Sequence, residues 1–531
     1  MQALVSKVQK ESQSYQENYA KMKALIDQLD TQLQESLDQG KDKHIDRAHE
    51  SGKFTARERV ELLLDQDSPF LELLPLAGKG MGGFGAGGTI VCGIGLVSGK
   101  ICMISANIGT KKGGAIDYAT LQKSLRIGEI AYENKLPMIN LVESAGANLP
   151  EQEKIFNYGG TTFREITRRS KEGLTTISVV FGNSTAGGAY IPGMSDYTVM
   201  VKKQAKVFLA GPPLVKMATN EVTDEESLGG AEMHSKISGV SDYLANDERD
   251  GIRLAREILS FIERPIAIQK ARKNRNPKFN TDELLGIASA DVKIPFDCRE
   301  IIARLTDASE FSEFKPEYGS TLVCGFAYIH GYKIGILGNN GVLFSESANK
   351  GAQFIQLCNK NNTPLLFLQN ITGFMVGKKY EEGGIIKHGA KLINAVSNSE
   401  VPAITIMIGA SFGAGNYAMN GRAYQPRFLF SWPNSRIAVM GSEQLAGVME
   451  IIQKQAAKKA GIPYDEEQGK QMAEYMIGEV EKKSNALYSS SQLWDDAVID
   501  PRDTRDVLGI CLEVIHQAGF NSEGKYGVFR M

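Results

Sequence analysis

Residues 175–190 read TTISVVFGNSTAGGAY, and residues 402–417 read PAITIMIGASFGAGNY. Each is an apolar, β-branched run that breaks into small residues and closes on a tyrosine, the pattern of a buried strand followed by a tight turn from which a helix can start. The two stretches are 227 residues apart, and the same offset carries Asn134 onto Asn361, Pro137 onto Pro364, Gly146 onto Gly373, Gly182 onto Gly409, Ser184 onto Ser411 and Gly188 onto Gly415. PMINLVESAGA (137–147) lies over PLLFLQNITGF (364–374) in that register. Chance similarity rarely keeps glycines and prolines in one register. The chain is therefore read as α/β, with two copies of one fold over about 75–268 and 282–531.

Around the decisive stretches the text alternates strand and helix. Gly93–Leu96, Ile101–Ala106, Met138–Glu143 and Thr176–Phe181 read as strands, and Leu121–Glu133 and Phe163–Lys171 as helices. Residues 1–74 form an N-terminal helical arm, in which Leu25, Leu29, Leu33 and Leu37 make a stripe suited to packing on the body or on another subunit. The polar stretch 269–280 (QKARKNRNPKFN) marks the boundary between the copies.

Composition excludes several classes. The 531 residues carry 60 Lys+Arg against 62 Asp+Glu, a balance that argues against a general nucleic-acid binder. Six cysteines without a C-x-x-C pair argue against a zinc ribbon and suit buried thiols in a reducing compartment. No apolar run approaches a membrane span, and the first residues lack a secretory pattern. The expectation is a cytoplasmic protein, or a mitochondrial-matrix one in a eukaryote, with no metal, membrane or nucleic-acid partner.

The candidate chemistry lies in the two turns. Successive N–H groups among small residues can hold a developing oxyanion. The basic glycine turn at Lys111, Lys112, Gly113 and Gly114 can meet phosphates. Gly78–Gly83 fits G-x-G-x-x-G but does not stand between a strand and a helix, so it reads as a ligand-covering loop. His234 and His388 lack ligand-spaced neighbours and read as surface or hydrogen-bonding residues. The rival reading is a serine hydrolase, since Gly409, Ser411 and Gly413 match G-x-S-x-G; only His516 follows the serine, in a helical context.

Longer motifs carry a family resemblance. RAHESGKFTARERVELLLD (47–65), LVESAGANLP (141–150), FLAGPPLVK (208–216), LGGAEMH (228–234), NNGVLFSESANKGAQFIQLC (339–358), FLQNITGFMVG (367–377), GGIIKHGAK (383–391), the segment 412–441 and LWDDAVIDPRDTRDVLG (493–509) span nearly the whole chain. With these motifs the chain resembles the carboxyltransferase (β) subunits of biotin-dependent acyl-CoA carboxylases, the C-terminal copy being most similar to the methylcrotonoyl-CoA and geranyl-CoA types. NYGGTT (157–162) departs from the methylcrotonoyl pattern, which keeps propionyl, acetyl and longer-chain acyl groups as alternatives.

The resemblance implies two tandem crotonase-like ββα-superhelix domains. It implies acyl-CoA as substrate, and carboxybiotin carried by a separate biotinylated α subunit. It also implies a hexamer of β subunits whose active sites are shared between chains. The N–H groups of Gly187 and Gly188 would hold the thioester oxygen, and those of Ala414 and Gly415 the biotin ureido oxygen. The biotin nitrogen would take the α-proton, so that no side-chain base is required. Lys112, Gly113, Gly114, Phe163, Gly373 and Phe374 would contact the bound acyl-CoA or biotin. No Met-Lys-Met biotinylation motif or ATP-binding glycine loop is present, the nearest string being AKMKA at 20–24. Biotin-dependent decarboxylases share this fold and stand as the second functional class.

Overall fold

The computed structural model describes residues 2–263 and 272–531. It divides into two compact units, Gln32–Ala267 with Ser491–Leu493, and Met1–Thr31 with Ile268–Ser490 and Trp494–Met531. Residues 269–271 of the expected boundary lie outside the described residues, and 272–280 contain no helix or strand.

The first unit is built on an eight-stranded sheet. Strands Phe70–Glu72, Ile90–Val97 and Lys100–Asn107 pair antiparallel, and Met138–Ser144, Thr176–Thr185, Tyr197–Val201 and Tyr243–Ala245 continue in parallel. Along Thr176–Thr185, Ile177, Val179 and Phe181 enter one apolar cluster with Ile252, Ala255 and Leu259, while Val180 enters another with Val142 and Met200. This alternation follows from the two-residue period of a strand, and burial of both faces explains the unbroken apolar run.

The second unit repeats the plan in a nine-stranded sheet. Glu310–Phe314, Leu322–Ile329 and Tyr332–Asn339 pair antiparallel; Leu365–Ile371, Ala403–Phe412, Phe428–Ser431 and Ala497–Val498 follow in parallel. Each hairpin closes on a two-residue turn with both residues at positive φ, Ser98–Gly99 (49° and 72°) and His330–Gly331 (48° and 82°), which matches the strand twist. These are the two tandem crotonase-like units implied by the resemblance.

Two features position the site. Both sheets carry the same irregularity: Val142 pairs with Val180 but Ser144 with Ser184, and Gln369 pairs with Met407 but Ile371 with Ser411. The strand end beyond the bulge is re-aimed onto a new partner, Lys206–Phe208 in one sheet and Arg436–Ala438 in the other. The second feature is an insertion. Hairpin Ile90–Asn107 matches Leu322–Asn339 at an offset of 232, whereas helix Tyr118–Glu133 matches Ser345–Lys360 at 227. The first copy thus holds five extra residues between them, in the segment that contains Lys111–Gly114.

The N-terminal arm is helical over Gln13–Ser36, Asp42–Glu50 and Ala56–Leu63. Its buried stripe differs from the expected one: Tyr15, Met22, Ile26 and Leu29 are buried, Leu25 and Leu33 only partly, and Leu37 lies past the helix end and is exposed. At 100° per residue the buried four fall within an arc of about 60°, whereas a strict four-residue repeat drifts around the helix.

Candidate functional site

In the first unit a cleft of about 840 Å³ is lined by Lys41, His44, Arg47, Lys53, Lys111 and Lys112, with Gly83, Phe84, Gly113 and Glu143 in its wall. Lys111 pairs with Asp38 at 3.4 Å and Lys53 with Glu143 at 2.7 Å. Lys41, Arg47 and Lys112 have no ion pair among the described residues, so the cleft keeps a positive excess and suits an anionic ligand. Lys112 Nζ lies 5.9 Å from the ring centre of Phe84, which belongs to the glycine loop that begins at Gly78.

The insertion turns on consecutive left-handed residues, Lys112 (53°), Gly113 (64°) and Gly114 (66°). A Cβ on Gly114 would overlap the Glu143 carbonyl oxygen, so both its conformation and its packing require glycine. Ala145 N donates to Gly113 O (2.9 Å) and Ile116 N to Gly146 O (2.8 Å). A Cβ on Gly146 would stand 3.2 Å from Thr185 O. The basic turn is thereby joined through Ala145 and Gly146 to the small-residue turn Ala186–Ala189.

That second turn is a short 3₁₀ segment in which Ala186 has φ of 53°. Ser184 Oγ donates to Gly188 O at 3.0 Å. A Cβ on Gly187 would meet only Phe163 Cζ, at 3.4 Å, and the Phe163 and Tyr190 rings lie 5.7 Å apart. The structure therefore gathers Lys112, Gly113, Gly114, Phe163, Gly187 and Gly188 at the carboxyl end of the parallel strands, where open α/β sheets bind ligands.

In the second unit, Gly413 (φ 56°) leads into the helix Ala414–Ala418, whose first N–H groups have no intrahelical acceptor. A Cβ on Gly415 would stand 2.6 Å from Ile371 Cγ1 and 3.3 Å from Gly373 Cα. Gly373 has φ of 132°, and a Cβ there would meet nothing within 4 Å, so the backbone is uncovered at this point. Phe374 packs against Gly389. Ala414, Gly415, Gly373 and Phe374 thus form the second group.

The nucleophile-elbow reading fails on geometry. Ser411 is fully buried; its hydroxyl donates to Gln369 Oε1 (2.6 Å) and accepts from Asn416 Nδ2 (2.8 Å). His516 is buried and donates through Nδ1 to Leu512 O (2.7 Å). His234 is a buried hydrogen-bonding residue, 2.6 Å from Ser238 Oγ and 2.7 Å from Val207 O, and His388 lies 3.1 Å from Asn349 Oδ1. Among the described residues no group of three or more His, Cys, Asp or Glu could hold a metal ion, and no helix is long and apolar enough to cross a membrane.

Sequence reasoning missed the ionic lock beneath the cleft. Arg59, from the helix Ala56–Leu63, donates to Glu143 Oε2 (2.7 Å) and to both oxygens of Glu248 (2.8 and 2.7 Å) and lies 4.4 Å from the Phe181 ring centre. Burial alone would raise the Glu143 carboxyl, but the charges of Arg59 and Lys53 outweigh it and hold Glu143 below its ordinary range. The signal available in the sequence was a carboxylate closing an apolar strand at 138–143, where the second copy has Asn370.

The carboxyl transferase domain family matches residues 47–525. The chain is 54% identical over 532 residues to a Mycobacterium tuberculosis protein named "Probable biotin-dependent acyl-coenzyme A carboxylase beta2 subunit", covering 99% of this chain and 100% of that one. It is 47% identical over 512 residues to the biotin-dependent 3-methylcrotonyl-coenzyme A carboxylase beta1 subunit of the same organism, covering 96% and 97%. The crystal structure of the P. aeruginosa geranyl-CoA carboxylase β subunit superposes with a TM-score of 0.91 at 43% identity, over 100% of this chain and 99% of that one. The chain belongs to the carboxyl transferase family.

Proposed function

We propose that this chain is the carboxyltransferase subunit of a biotin-dependent acyl-CoA carboxylase acting on an acyl-CoA of the methylcrotonoyl or geranyl type. The observation that carries the reading is the basic cleft, in which Lys41, Arg47 and Lys112 have no ion pair among the described residues, and whose Gly113 wall is joined by hydrogen bonding and packing through Ala145 and Gly146 to the small-residue turn at Gly187 and Gly188. A ligand with phosphates at one end and a thioester at the other fits that arrangement. Gly187 and Gly188 hold the negative charge that grows on the thioester oxygen; Ala414 and Gly415 do so for the ureido oxygen of biotin. Carboxybiotin, when delivered, supplies the carboxyl group. A separate biotinylated subunit carries it, and the β chains assemble as a hexamer. Six free cysteines, all buried, suit the cytoplasm or, in a eukaryote, the mitochondrial matrix.

The test is ATP-dependent fixation of [14C]bicarbonate by the chain co-purified with its biotinylated partner, across acyl-CoAs from acetyl to geranyl. Labelling of methylcrotonoyl-CoA or geranyl-CoA is expected. No labelled acyl-CoA despite charged biotin on the partner would overturn the reading.

A further inference from the structure

We infer that Glu143 is a positioning residue of the acyl-CoA cleft, whose carboxylate holds the Lys53 ammonium in place to meet an anionic group of the ligand. The inference rests on the cleft assignment made above. Glu143 stands at the bulge, its side chain packed against Gly109 and Gly182 so closely that neither could carry a Cβ. Its backbone N–H donates to Asn107 Oδ1 at 3.3 Å. The second copy performs the same packing without a charge: Asn370 N–H donates to Asn339 Oδ1 (3.2 Å), and Asn370 Oδ1 accepts from Ala410 N (3.1 Å) and packs against Gly409. The bulge therefore forms without a charge at this point.

The charge at 143 serves the cations. Glu248, Arg59, Glu143 and Lys53 form one chain of ion pairs. Its inner end is buried, with Arg59 at 1% and Glu248 at 0% side-chain exposure, and its outer end opens on the cleft, where Lys53 keeps 22%. A lysine ammonium has three donors, and the Glu143 bond uses one, so others remain for an anion. A free lysine side chain loses rotamer freedom when it binds, and holding it beforehand removes that loss from the ligand's affinity.

The experiment measures the affinity of the full chain for CoA by calorimetry, and KM and kcat for acyl-CoA in the complex with its partner. Glu143→Gln keeps the shape and removes the charge; Lys53→Met removes the ammonium. Each is expected to weaken CoA binding and raise KM about five- to tenfold with kcat within about twofold, and the double variant to be no worse than either single one. Unchanged affinity in a folded Glu143→Gln, or effects that multiply in the double variant, overturns the inference. If Glu143→Gln yields no folded protein, Lys53→Met decides alone, unchanged affinity again overturning it. A wild-type chain that binds CoA but carboxylates nothing counts against the proposed reaction and leaves the CoA comparison decisive for Glu143. A wild-type chain that binds no CoA overturns both.

Discussion

The turns at 182–190 and 409–417 follow the same bulged strand end and are held by opposite chemistry. The first rests on apolar packing: Val142, Val180, Ala189, Met200 and Val207 share one buried cluster. In the second, Gln369 stands at the place of Val142 and Asn416 at that of Ala189. With Ser411 they form a buried chain of hydrogen bonds, Asn416 to Ser411 (2.8 Å), Ser411 to Gln369 (2.6 Å) and Gln369 Nε2 to Met419 O (2.7 Å). The conformations at the turn also differ in strain. Gly413 adopts φ of 56° freely, while its counterpart Ala186 holds 53° against its own Cβ. The same bulged strand end can thus be held by shape or by hydrogen bonding, and the two copies carry one solution each.

The comparison breaks most sharply at the ion chain found beneath the first turn. Arg59→Met leaves Glu248 buried without its cation and is expected to lower unfolding free energy by about 3–5 kcal/mol, read from the urea midpoint. A loss below about 1 kcal/mol would mean that Glu248 is not the buried anion the structure shows.

Alanine at the proposed oxyanion donors separates the turns next. Gly187→Ala and Gly415→Ala keep the N–H donors but set a methyl group beside them, and each is expected to reduce carboxyl transfer by up to about a hundredfold, the effect of losing one such donor. Only Gly415→Ala should also lower the urea midpoint, because its Cβ presses on Ile371 at 2.6 Å, whereas that of Gly187 makes ordinary contact with Phe163 at 3.4 Å. Full activity in both variants would remove the turns from the reaction.

Ser411→Ala probes the polar solution. It leaves Gln369 Oε1 and Asn416 Nδ2 buried without their shared partner and is expected to cost about 1–3 kcal/mol in denaturant unfolding. Ser184→Ala, in the apolar copy, breaks one hydrogen bond to a carbonyl and should cost about 1 kcal/mol. Equal losses would erase the distinction between the two turns.

Acid sharpens the contrast between Glu143 and Asn370. Glu143 titrates below its ordinary value of 4.5 in the folded chain. Its contribution to stability is full above the unfolded value and is lost as pH falls toward the lower folded value. Glu143→Gln should therefore flatten the decline in stability as pH falls below the ordinary value of 4.5, a dependence to which Asn370 adds nothing. An unchanged acid limb would contradict the ion pairs to Lys53 and Arg59.

The smallest effect is expected from Ala186→Gly, which gives the first copy the residue of the second. Relief of the left-handed strain, offset by the entropy of the unfolded glycine, should stabilise by about 1 kcal/mol or less. Destabilisation would show that the Ala186 methyl contributes packing that outweighs its strain.

Much of this was legible before the fold was known. The strands expected at Met138–Glu143 and Thr176–Phe181 are observed at Met138–Ser144 and Thr176–Thr185. Their ends were hidden because Asn183, Ser184 and Thr185 are polar and carry no apolar period. The five-residue insertion was readable in principle, since Cys92-Gly93 and Cys324-Gly325 are 232 residues apart rather than 227. The leucine stripe of the arm misled because residue spacing alone does not say which side of a helix meets a neighbour.

The sequence by itself determined the two copies, the small-residue turns and the basic glycine turn, because these depend on local backbone freedom and on periodicities written in consecutive residues. Only the tertiary structure decided that Arg59 meets Glu248 across 189 positions, that Glu143 closes the cleft onto Lys53, and that Ser411 is locked away from solvent. Such pairings depend on where strands and helices cross, and a charge or hydroxyl acquires its role only from the partner and the burial that the crossing provides.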